Sequence, residues 1–392
     1  MAEAYIVSAA RTAGGRRGGK LKDWHPADLA GKVLDAVVER AGIDGAAVED
    51  VILGCVMQVG EQSAHIGRSA VMASSLPDSV PAVSIDRQCG SSQQAIQFAA
   101  QAVMSGTQDI VLAAGVESMT RVPMGLASSA PAQLGIGIGP WSQKIKDRYG
   151  VQGFSQFTGA AMIAQKYGFS RDQLDAFSLE SHRRAAAATQ AGAFDAEIVP
   201  IEIVDEEGNT VLHLHDEGIR YDATPESMAS VKLLQEGGVL TAASASQICD
   251  GASGVLIVSE RALKDHNLKP RARIHHMSVR ADNPVWMLTG PIPATRYAMQ
   301  KSGMKLDDID LFECNEAFAS VPMAWMKELG IPREKVNVAG GAIALGHPIG
   351  STGARLMTTL LNALERTGGR YGLQTMCEGG GLANATIIER LG

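Results

Sequence analysis

Residues 82–115 of this 392-residue chain read AVSIDRQCGSSQQAIQFAAQAVMSGTQDIVLAAG and carry its clearest fold signal. Residues 82–85 have the composition of a buried strand, and residues 109–115 form a second such run. The segment between them predicts a helix ending at Ser105 and Gly106, because apolar residues recur there at helical spacing: Ile96, Ala99, Ala100 and Val103. This order of elements predicts an α/β fold.

The preceding segments show the same alternation. Residues 5–7 predict a strand, and a helix is predicted to begin at His25 and Pro26 and to end at Gly42. Its apolar residues share one face, at Leu29, Val33 and Val37. Residues 51–53 predict the strand that follows.

The last third of the chain repeats this order at an offset of roughly 250–260 residues, which indicates an internal duplication. The strands at 51–53, 83–85 and 109–115 have counterparts at 310–312, 336–338 and 370–379. The helix after Cys89 corresponds to one after His347, with apolar residues at Leu356, Leu360 and Leu364. We therefore expect two similar α/β halves.

The middle of the chain differs from both halves and reads as a long insertion. Residues 123–140 form a loop rich in glycine, serine and alanine, and Ser170 and Gln173 predict a capping box. Residues 205–209 predict a hairpin turn. The expected division is a first half (1–118), an insertion (119–250), a return strand (251–270) and a second half (271–392).

Composition excludes several classes of protein. The net charge is −7 and aromatic residues make up 5%, which argues against nucleic-acid binding. No run of 18 apolar residues predicts a membrane span, and no signal peptide is evident. The five cysteines lack CxxC spacing, which suits a reducing cytoplasm, and no metal site is expected. Glycine is in excess, at 43 residues.

Two candidate catalytic residues precede predicted helices at equivalent places in the two halves. Cys89 lies at a helix N-terminus, where the helix dipole favours a thiolate, and Gly90 lets backbone amides approach a bound carbonyl. His347 lies in a loop rich in glycine and proline and is a candidate base for a thiol. A small buried thiol and a structural histidine are the alternatives.

Two more candidates follow predicted strands of the second half. Cys377 precedes three glycines, 379–381, whose backbone N–H groups can stabilise an oxyanion. Asn315 follows the strand near 310–313, where its amide can hold a water or polarise a carbonyl. Ligands bind at such strand ends in α/β folds, so we expect these groups to meet.

Four motifs together resemble the active-site motifs of the thiolases, in the order and at the spacing of that family. They are CGSS at 89–92, NEAFA at 315–319, GHP at 346–348 and CEGGG at 377–381. The resemblance covers essentially the whole chain. It implies an α-β-α-β-α layered fold of two similar halves with mixed five-stranded sheets, plus a loop-domain insertion.

The resemblance also implies a role for each residue. Cys89 would carry the acyl group as a thioester, His347 would accept its proton, and Cys377 would move the proton at the α-carbon of acetyl-CoA. Asn315 would hold a water that forms one oxyanion hole with His347. The N–H groups of Cys89 and Gly379 would form the second.

The substrate and partners follow from the same resemblance. Coenzyme A is expected as a substrate, with no permanently bound cofactor, and Arg220 and Ser246 match positions that contact its nucleotide end and its pantetheine arm. A homodimer or homotetramer is expected, packed through the loop near residues 123–142.

The chain departs from the resembled pattern in two loops: TAASAS at 241–246 differs from the common family sequence, and SQFTGA at 155–160 differs from that of short-chain biosynthetic thiolases. The second lies where the family covers the acyl pocket. We therefore expect a degradative 3-ketoacyl-CoA thiolase resembling actinobacterial catabolic enzymes, with a ring-derived or branched substrate. The alternatives are an acetyl-CoA acetyltransferase, a carrier-protein-dependent condensing enzyme and a catalytically silent lipid carrier.

Two further patterns have ordinary explanations. Residues 14–20 fit the GxxxxGK pattern of a phosphate-binding loop, but Leu21 stands where a serine or threonine should bind Mg²⁺. His213 and His215 alternate in a strand-like stretch, which is typical of solvent-facing histidines rather than of a metal site.

Overall fold

A continuous mixed sheet runs through the molecule in the computed structural model, which describes residues 2–392. The strands are β1 (Ala4–Thr12), β2 (Gly15–Arg16), β3 (Asp50–Gly54), β4 (Ala82–Ile85), β5 (Ile110–Ser118), β6 (Ile198–Val199), β7 (Ile201–Val204), β8 (Thr210–His213), β9 (Cys249–Ser259), β10 (Ala272–Ala281), β11 (Leu311–Cys314), β12 (Tyr371–Glu378) and β13 (Leu382–Arg390). The order of strands across the sheet is β11-β12-β13-β10-β1-β9-β5-β3-β4. The short strands β2 and β6 pair with β9 and β1, and β7 and β8 form a separate hairpin.

The helices of the chain are α1 (Pro26–Ala41), α2 (Ile66–Met72), α3 (Ser91–Met104), α4 (Leu126–Gln133), α5 (Gln143–Tyr149), α6 (Gln156–Tyr167), α7 (Arg171–Gln190), α8 (Pro225–Ala229), α9 (Glu260–Asp265), α10 (Pro291–Ser302), α11 (Ser320–Leu329), α12 (Ala342–Leu345) and α13 (Thr352–Thr367). Helices α1, α3, α10 and α13 pack against the faces of this sheet.

The duplication is visible in the strand pairing. In the first half β3 and β5 are parallel and β5 pairs antiparallel with β9, and in the second half β11, β12 and β13 repeat this pattern. The halves join where β1 meets β10 antiparallel, at Tyr5 with Arg273 and Ile6 with Ala272. The expected α/β fold of two similar halves is confirmed.

One expected strand is absent from the edge of the second half. The segment 336–338, predicted as the counterpart of β4, makes a single parallel bridge between Val336 and Phe312. Asn337 has a φ of 47°, which interrupts an extended strand. Its side chain instead receives the Cys314 N–H at 2.9 Å and donates to the Cys314 carbonyl at 2.8 Å.

Three of the apolar core clusters define the layers of the fold. The middle cluster lies between α3 and α13 and the inner faces of both halves of the sheet. Helix α1 covers the outer face of the first half and α10 covers that of the second. Helices α3 and α13 approach so closely that a Cβ on Gly353 would lie 2.1 Å from the Gln93 nitrogen.

The segment between β5 and β9 holds helices α4 to α8 and the β7–β8 hairpin. The predicted capping box is present, since Ser170 Oγ receives the Gln173 N–H and Gln173 Oε1 receives the Ser170 N–H. The predicted turn at 205–209 joins β7 to β8. The boundaries 1–118, 119–250, 251–270 and 271–392 stay a prediction. Among residues 2–392, no helix has both the length and the apolar character to cross a bilayer.

Candidate active site

The four loops predicted to carry chemistry converge between the two halves. Cys89 lies between β4 and α3, Asn315 directly follows β11, His347 lies between α12 and α13, and Cys377 is near the end of β12. Cys89, His347, Cys377 and Gly379 line one cavity. Asn315 is fully buried, and its side chain contacts the Nε2 atom of His347.

Direct hydrogen bonds connect the Cys89 loop to the His347 loop. The Ser92 N–H, in the first turn of α3, donates to the Gly350 carbonyl at 3.2 Å. The Ala354 N–H, in the first turn of α13, donates to Ser92 Oγ at 2.9 Å. Because each loop leads into one of these helices, the two bonds fix the position of the thiol relative to the imidazole.

The backbone N–H groups of Cys89 and Gly379 act on the Cys89 thiol and lower its pKa. Burial, followed by the nearby Glu378 carboxylate, raises the pKa of Cys89 to about 12. The helix-dipole argument predicted a thiolate, but the pKa of Cys89 is shifted in the opposite direction. Desolvation and the Glu378 carboxylate outweigh the backbone groups of Cys89 and Gly379, which lower the pKa.

The backbone around Cys89 is unusual on both sides. Gln88 has a φ of 50°, in the left-handed region that non-glycine residues rarely adopt. A Cβ on Gly90 would lie 2.1 Å from Glu378 Oε1, so only glycine leaves room for that carboxylate. Gly90 therefore makes space for a buried side chain, a reason that the sequence did not reveal.

Glu378 is fully buried beneath this turn. One of its oxygens receives the Asn384 N–H at 3.0 Å, and burial raises its pKa well above the ordinary value. The glutamate of the CEGGG motif thus influences the thiol directly.

His347 has a defined tautomer. Its Nδ1 is 2.6 Å from Thr352 Oγ1, and that hydroxyl donates its own proton to the Pro348 carbonyl at 2.9 Å. Thr352 can therefore only accept from the ring, which assigns the proton to Nδ1 and leaves Nε2 as a free base. Burial, followed by the Arg355 charge, lowers the pKa of His347 to about 3.

Two residues that sequence reasoning missed hold the His347 loop. Gln247 accepts the His347 N–H on its carbonyl at 3.0 Å, and its side chain donates to the Ile343 carbonyl at 2.7 Å. Glu117 accepts the Gly350 N–H at 3.0 Å and the Val56 N–H at 2.9 Å. A glutamate within an apolar strand, as at Glu117, can indicate a buried supporting role. Its partners could not be identified from the sequence, because Gly350 and Val56 are distant from it in the chain.

Asn315 contacts the Nε2 edge of the His347 ring. Its Nδ2 donates to His347 Nε2 at 3.3 Å, and its Oδ1 is buried without a hydrogen-bond partner among residues 2–392. An unpaired buried acceptor is costly unless a water or ligand satisfies it. The adjacent Glu316 has other partners: its carboxylate accepts hydrogen bonds from Ser181 Oγ and from Asn337 Nδ2.

Cys377 is fully buried among apolar side chains, including Phe318 and Met287. Burial, with Cys89 as the next contribution, raises its pKa well above that of an ordinary thiol. It is therefore a neutral S–H at physiological pH. A protonated thiol that lines the cavity can donate a proton to a carbanion formed nearby.

These groups open onto a cavity of about 1240 Å³. Most of its lining is apolar, with methionines and aromatic rings on several elements, namely Met57, Met119, Met124, Trp141, Phe154, Phe157, Met287 and Phe318. Arg220 and Ser246, the predicted coenzyme A contacts, also line it. The cavity thus brings six of the seven predicted site residues onto one surface.

The histidine pattern at 213 and 215 has a structural explanation. The expectation that both face solvent is wrong for His213, which is fully buried with its Nε2 3.2 Å from the Ala13 carbonyl, whereas His215 is exposed. No group of three or more His, Cys, Asp or Glu side chains with a metal-binding arrangement occurs within residues 2–392.

Comparisons with known proteins agree along the whole chain. The family model for the thiolase N-terminal domain matches residues 4–261, and that for the thiolase C-terminal domain matches residues 268–390. Steroid 3-ketoacyl-CoA thiolase FadA6 of Mycobacterium tuberculosis is 55% identical, over 100% of this chain and 95% of that protein. A 3-ketoacyl-CoA thiolase of Aliivibrio fischeri is 40% identical over 100% of both.

Solved structures give the same result. The acetyl-CoA acetyltransferase of Bacillus anthracis superimposes with a TM-score of 0.91 at 37% identity, covering 100% of this chain and 99% of that one. Human mitochondrial 3-ketoacyl-CoA thiolase superimposes with a TM-score of 0.89 at 34% identity, with the same coverage.

Proposed function

This chain belongs to the thiolase family, and from that premise we propose that it is a degradative enzyme for bulky, ring-derived 3-ketoacyl-CoA thioesters. Thiolases are acyltransferases that cleave a 3-ketoacyl-CoA with coenzyme A, so the expected family and reaction class are confirmed. The size of the acyl group, the residue roles and the assembly are the parts proposed below.

The lining of the cavity is the observation that carries the proposed substrate. The cavity has a volume of about 1240 Å³, includes the expected coenzyme A contacts Arg220 and Ser246, and is otherwise mostly apolar. Methionines at Met57, Met119, Met124 and Met287 provide a polarisable wall that adapts to an irregular apolar group. The 55% identical relative is itself named as a steroid 3-ketoacyl-CoA thiolase, which supports the same substrate class.

In the first half-reaction Cys89 Sγ attacks the C3 keto carbon while its proton moves to His347 Nε2. The C2–C3 bond then breaks, and its electron pair remains on C2 as the enolate of acetyl-CoA. Cys377 donates its S–H proton to C2, which releases acetyl-CoA and leaves the acyl group on Cys89. The low pKa of His347 suits this step, because it keeps Nε2 unprotonated until the thiol reacts.

The second half-reaction regenerates the site. The Cys377 thiolate accepts the S–H proton of incoming coenzyme A, and the coenzyme sulfur attacks the acyl carbon. The bond between the acyl carbon and Cys89 breaks, its electron pair returns to Sγ, and Sγ takes back its proton from His347. Acyl-CoA leaves, and both cysteines are again neutral.

Two sets of donors stabilise the negative oxygens formed in these steps. The N–H groups of Cys89 and Gly379, which lower the pKa of the Cys89 thiol, would bind the oxyanion that forms on the carbon attached to Sγ. Asn315, with a bound water, and His347 form the second set, which binds the thioester oxygen of the enolate. Removing one such donor typically costs about 2.7–4 kcal/mol of transition-state stabilisation.

Thiolysis across a series of 3-ketoacyl-CoA thioesters, from the C4 compound to a bicyclic ring derivative, tests the substrate class. We expect kcat/KM for the ring compound to exceed that for acetoacetyl-CoA by about tenfold or more, since each buried methylene contributes roughly 1–3 kcal/mol. A preference for acetoacetyl-CoA would favour the alternative of an acetyl-CoA acetyltransferase.

A pair of neighbouring variants on α4 sharpens this test. Ser128 and Ser129 are both exposed, but only Ser128 lines the cavity. Ser128→Trp should lower kcat/KM for the ring compound more than for acetoacetyl-CoA, because the indole occupies part of the cavity. Ser129→Trp is the control, and equal effects of the two variants would contradict the assignment of this wall.

We infer that the protein acts as a homodimer or homotetramer in the cytoplasm. Strand β4 is the edge strand of the sheet and has no partner on its outer side. Three exposed apolar residues lie on this side of the molecule: Val83 on β4, Met72 on α2 and Phe98 on α3. Residues Ile136 and Ile138, in the predicted assembly loop, are also exposed. The five free thiols suit a reducing compartment. Light scattering that gives the mass of one 41.2 kDa chain would exclude the assembly.

A further inference from the structure

The phosphates of coenzyme A need cations that the overall charge does not supply. The chain carries a net charge of −7, so only a local cluster can attract a phosphate group. Arg220 is one cation at the cavity. Two others line the same cavity from the first half of the chain, Arg16 and Arg17, in the glycine-rich segment that fits the GxxxxGK pattern.

The backbone of this segment is held firmly. Glu217 Oε2 accepts the Arg16 N–H at 3.1 Å and the Lys20 N–H at 2.8 Å, so one carboxylate spans the turn. The Gly18 N–H donates to Thr120 Oγ1 at 2.9 Å, and Arg16 belongs to β2, which pairs with β9. The turn is therefore fixed relative to the sheet that carries the site.

The Glu217 carboxylate lies very close to the backbone of the turn at Gly19. A Cβ at Gly19 would lie 2.4 Å from Glu217 Oε2, so a side chain there would displace the carboxylate. The glycines of the segment thus permit the turn to wrap around Glu217. They do not form a nucleotide-binding loop, and the missing Mg²⁺ ligand at Leu21 agrees with this.

The charges of the turn are only partly neutralised. The Arg16 guanidinium pairs with Glu217, with 3.7 Å between Nε and Oε1. Arg17 is exposed and makes no ion pair with any residue within 2–392. Its guanidinium is therefore free to form two parallel hydrogen bonds with a phosphate.

We propose that Arg17, held on the turn at residues 16–20, binds a phosphate group of coenzyme A at the mouth of the cavity. This inference rests on the proposed function, because it takes coenzyme A to be the ligand of the cavity. It adds a contact from the first half of the chain to the contact expected from Arg220 in the insertion. The occupant is a phosphate of the substrate and not a separate nucleotide.

The test compares accepting thiols that differ in their phosphates. Thiolysis of a 3-ketoacyl-pantetheine thioester is measured with coenzyme A, dephospho-coenzyme A or pantetheine as the acceptor. For Arg17→Gln we expect the KM for coenzyme A, relative to that for pantetheine, to rise about tenfold, the usual effect of losing one charge-assisted hydrogen bond. Dephospho-coenzyme A shows whether the 3′-phosphate or the diphosphate is bound.

Two further variants separate charge from structure. Arg17→Lys should restore part of the affinity for coenzyme A, because it keeps the charge and loses the paired donors. Arg183→Gln is the matched control, since Arg183 is an exposed arginine outside the cavity lining. The rise in the KM ratio for Arg17→Gln relative to wild type should also shrink as salt is added.

The results distinguish the two levels of the proposal. An unchanged KM ratio in Arg17→Gln, with an active wild-type enzyme, would overturn the phosphate contact and leave the thiolase function intact. A wild-type protein that cleaves none of the thioesters would overturn the proposed function itself. Equal rises in KM for coenzyme A and pantetheine would show a structural effect of the substitution and would also overturn the contact.

Discussion

Gly353→Ala tests the packing that brings the two halves of the active site together. Gly353 lies in the first turn of α13, and its added methyl group would be 2.1 Å from the Gln93 nitrogen and 2.8 Å from the Gln93 Cα. Both are backbone atoms of α3, so no side-chain rotation can relieve the clash. Restoring an ordinary contact of 3.4 Å requires the helices to move apart by 1.3 Å.

This movement affects both stability and catalysis. Overpacking of this kind costs about 1–3 kcal/mol, and the better helix propensity of alanine offsets at most about 1 kcal/mol. The Cys89 loop leads into α3 and the His347 loop into α13, so the separation is transmitted to the thiol and the imidazole. A displacement of about 1 Å can reduce the rate roughly 10²-fold.

Thermal unfolding and thiolysis kinetics on the same preparation measure the two effects. Gly31→Ala is the matched control, because Gly31 lies in α1 and its added methyl would lie 2.8 Å from the Ala73 carbonyl, away from the crossing of α3 and α13. It should lower the unfolding temperature without changing kcat. If Gly353→Ala keeps the wild-type kcat, or loses no more activity than Gly31→Ala, the coupling of helix spacing to catalysis is refuted.

Four further predictions concern the reacting groups. Cys89→Ala should form no acyl-enzyme with acetoacetyl-CoA in intact mass spectra, and an acylated variant would remove Cys89 as the nucleophile. Cys377→Ala should still acylate Cys89 but exchange the α-protons of acetyl-CoA very slowly, so unchanged deuterium exchange would contradict its proton-transfer role. Thr352→Val should lower kcat about tenfold or more, since the Nδ1–H of His347 loses its acceptor, whereas the control Thr358→Val removes only a bond to the Ala354 carbonyl. Because the pKa of Cys89 is raised to about 12, alkylation by iodoacetamide should rise about tenfold per pH unit up to about pH 9.5; a plateau below pH 8 would show a more acidic thiol.

Local sequence signals predicted the individual elements well. The helix expected from His25 to Gly42 runs from Pro26 to Ala41, with the His25 side chain accepting the Ala27 N–H and Gly42 in the left-handed conformation. Such signals work because capping and turn geometry depend on residues a few positions apart. The prediction of a strand at 336–338 was wrong, because the Asn337 side chain forms hydrogen bonds with the backbone of Cys314, which is distant in sequence.

The supporting residues of the site were not predictable in this way. Three residues hold the His347 loop: Thr352 in α13, Glu117 in β5 and Gln247 in the loop before β9. A threonine in the first turn of a helix reads as an ordinary helical residue. Only the fold places its hydroxyl against an imidazole that it can orient.

The sequence by itself determined the order of elements, the duplication, the four motifs and the family, because these depend on residue identity and spacing. Tertiary structure decided the charge states of the reacting groups. The thiol of Cys89 is neutral because burial, followed by the neighbouring Glu378, raises its pKa, and His347 is a free base because burial, followed by Arg355, lowers its pKa. Electrostatic free energy depends on distance and on exclusion of water, and neither is written in the order of residues.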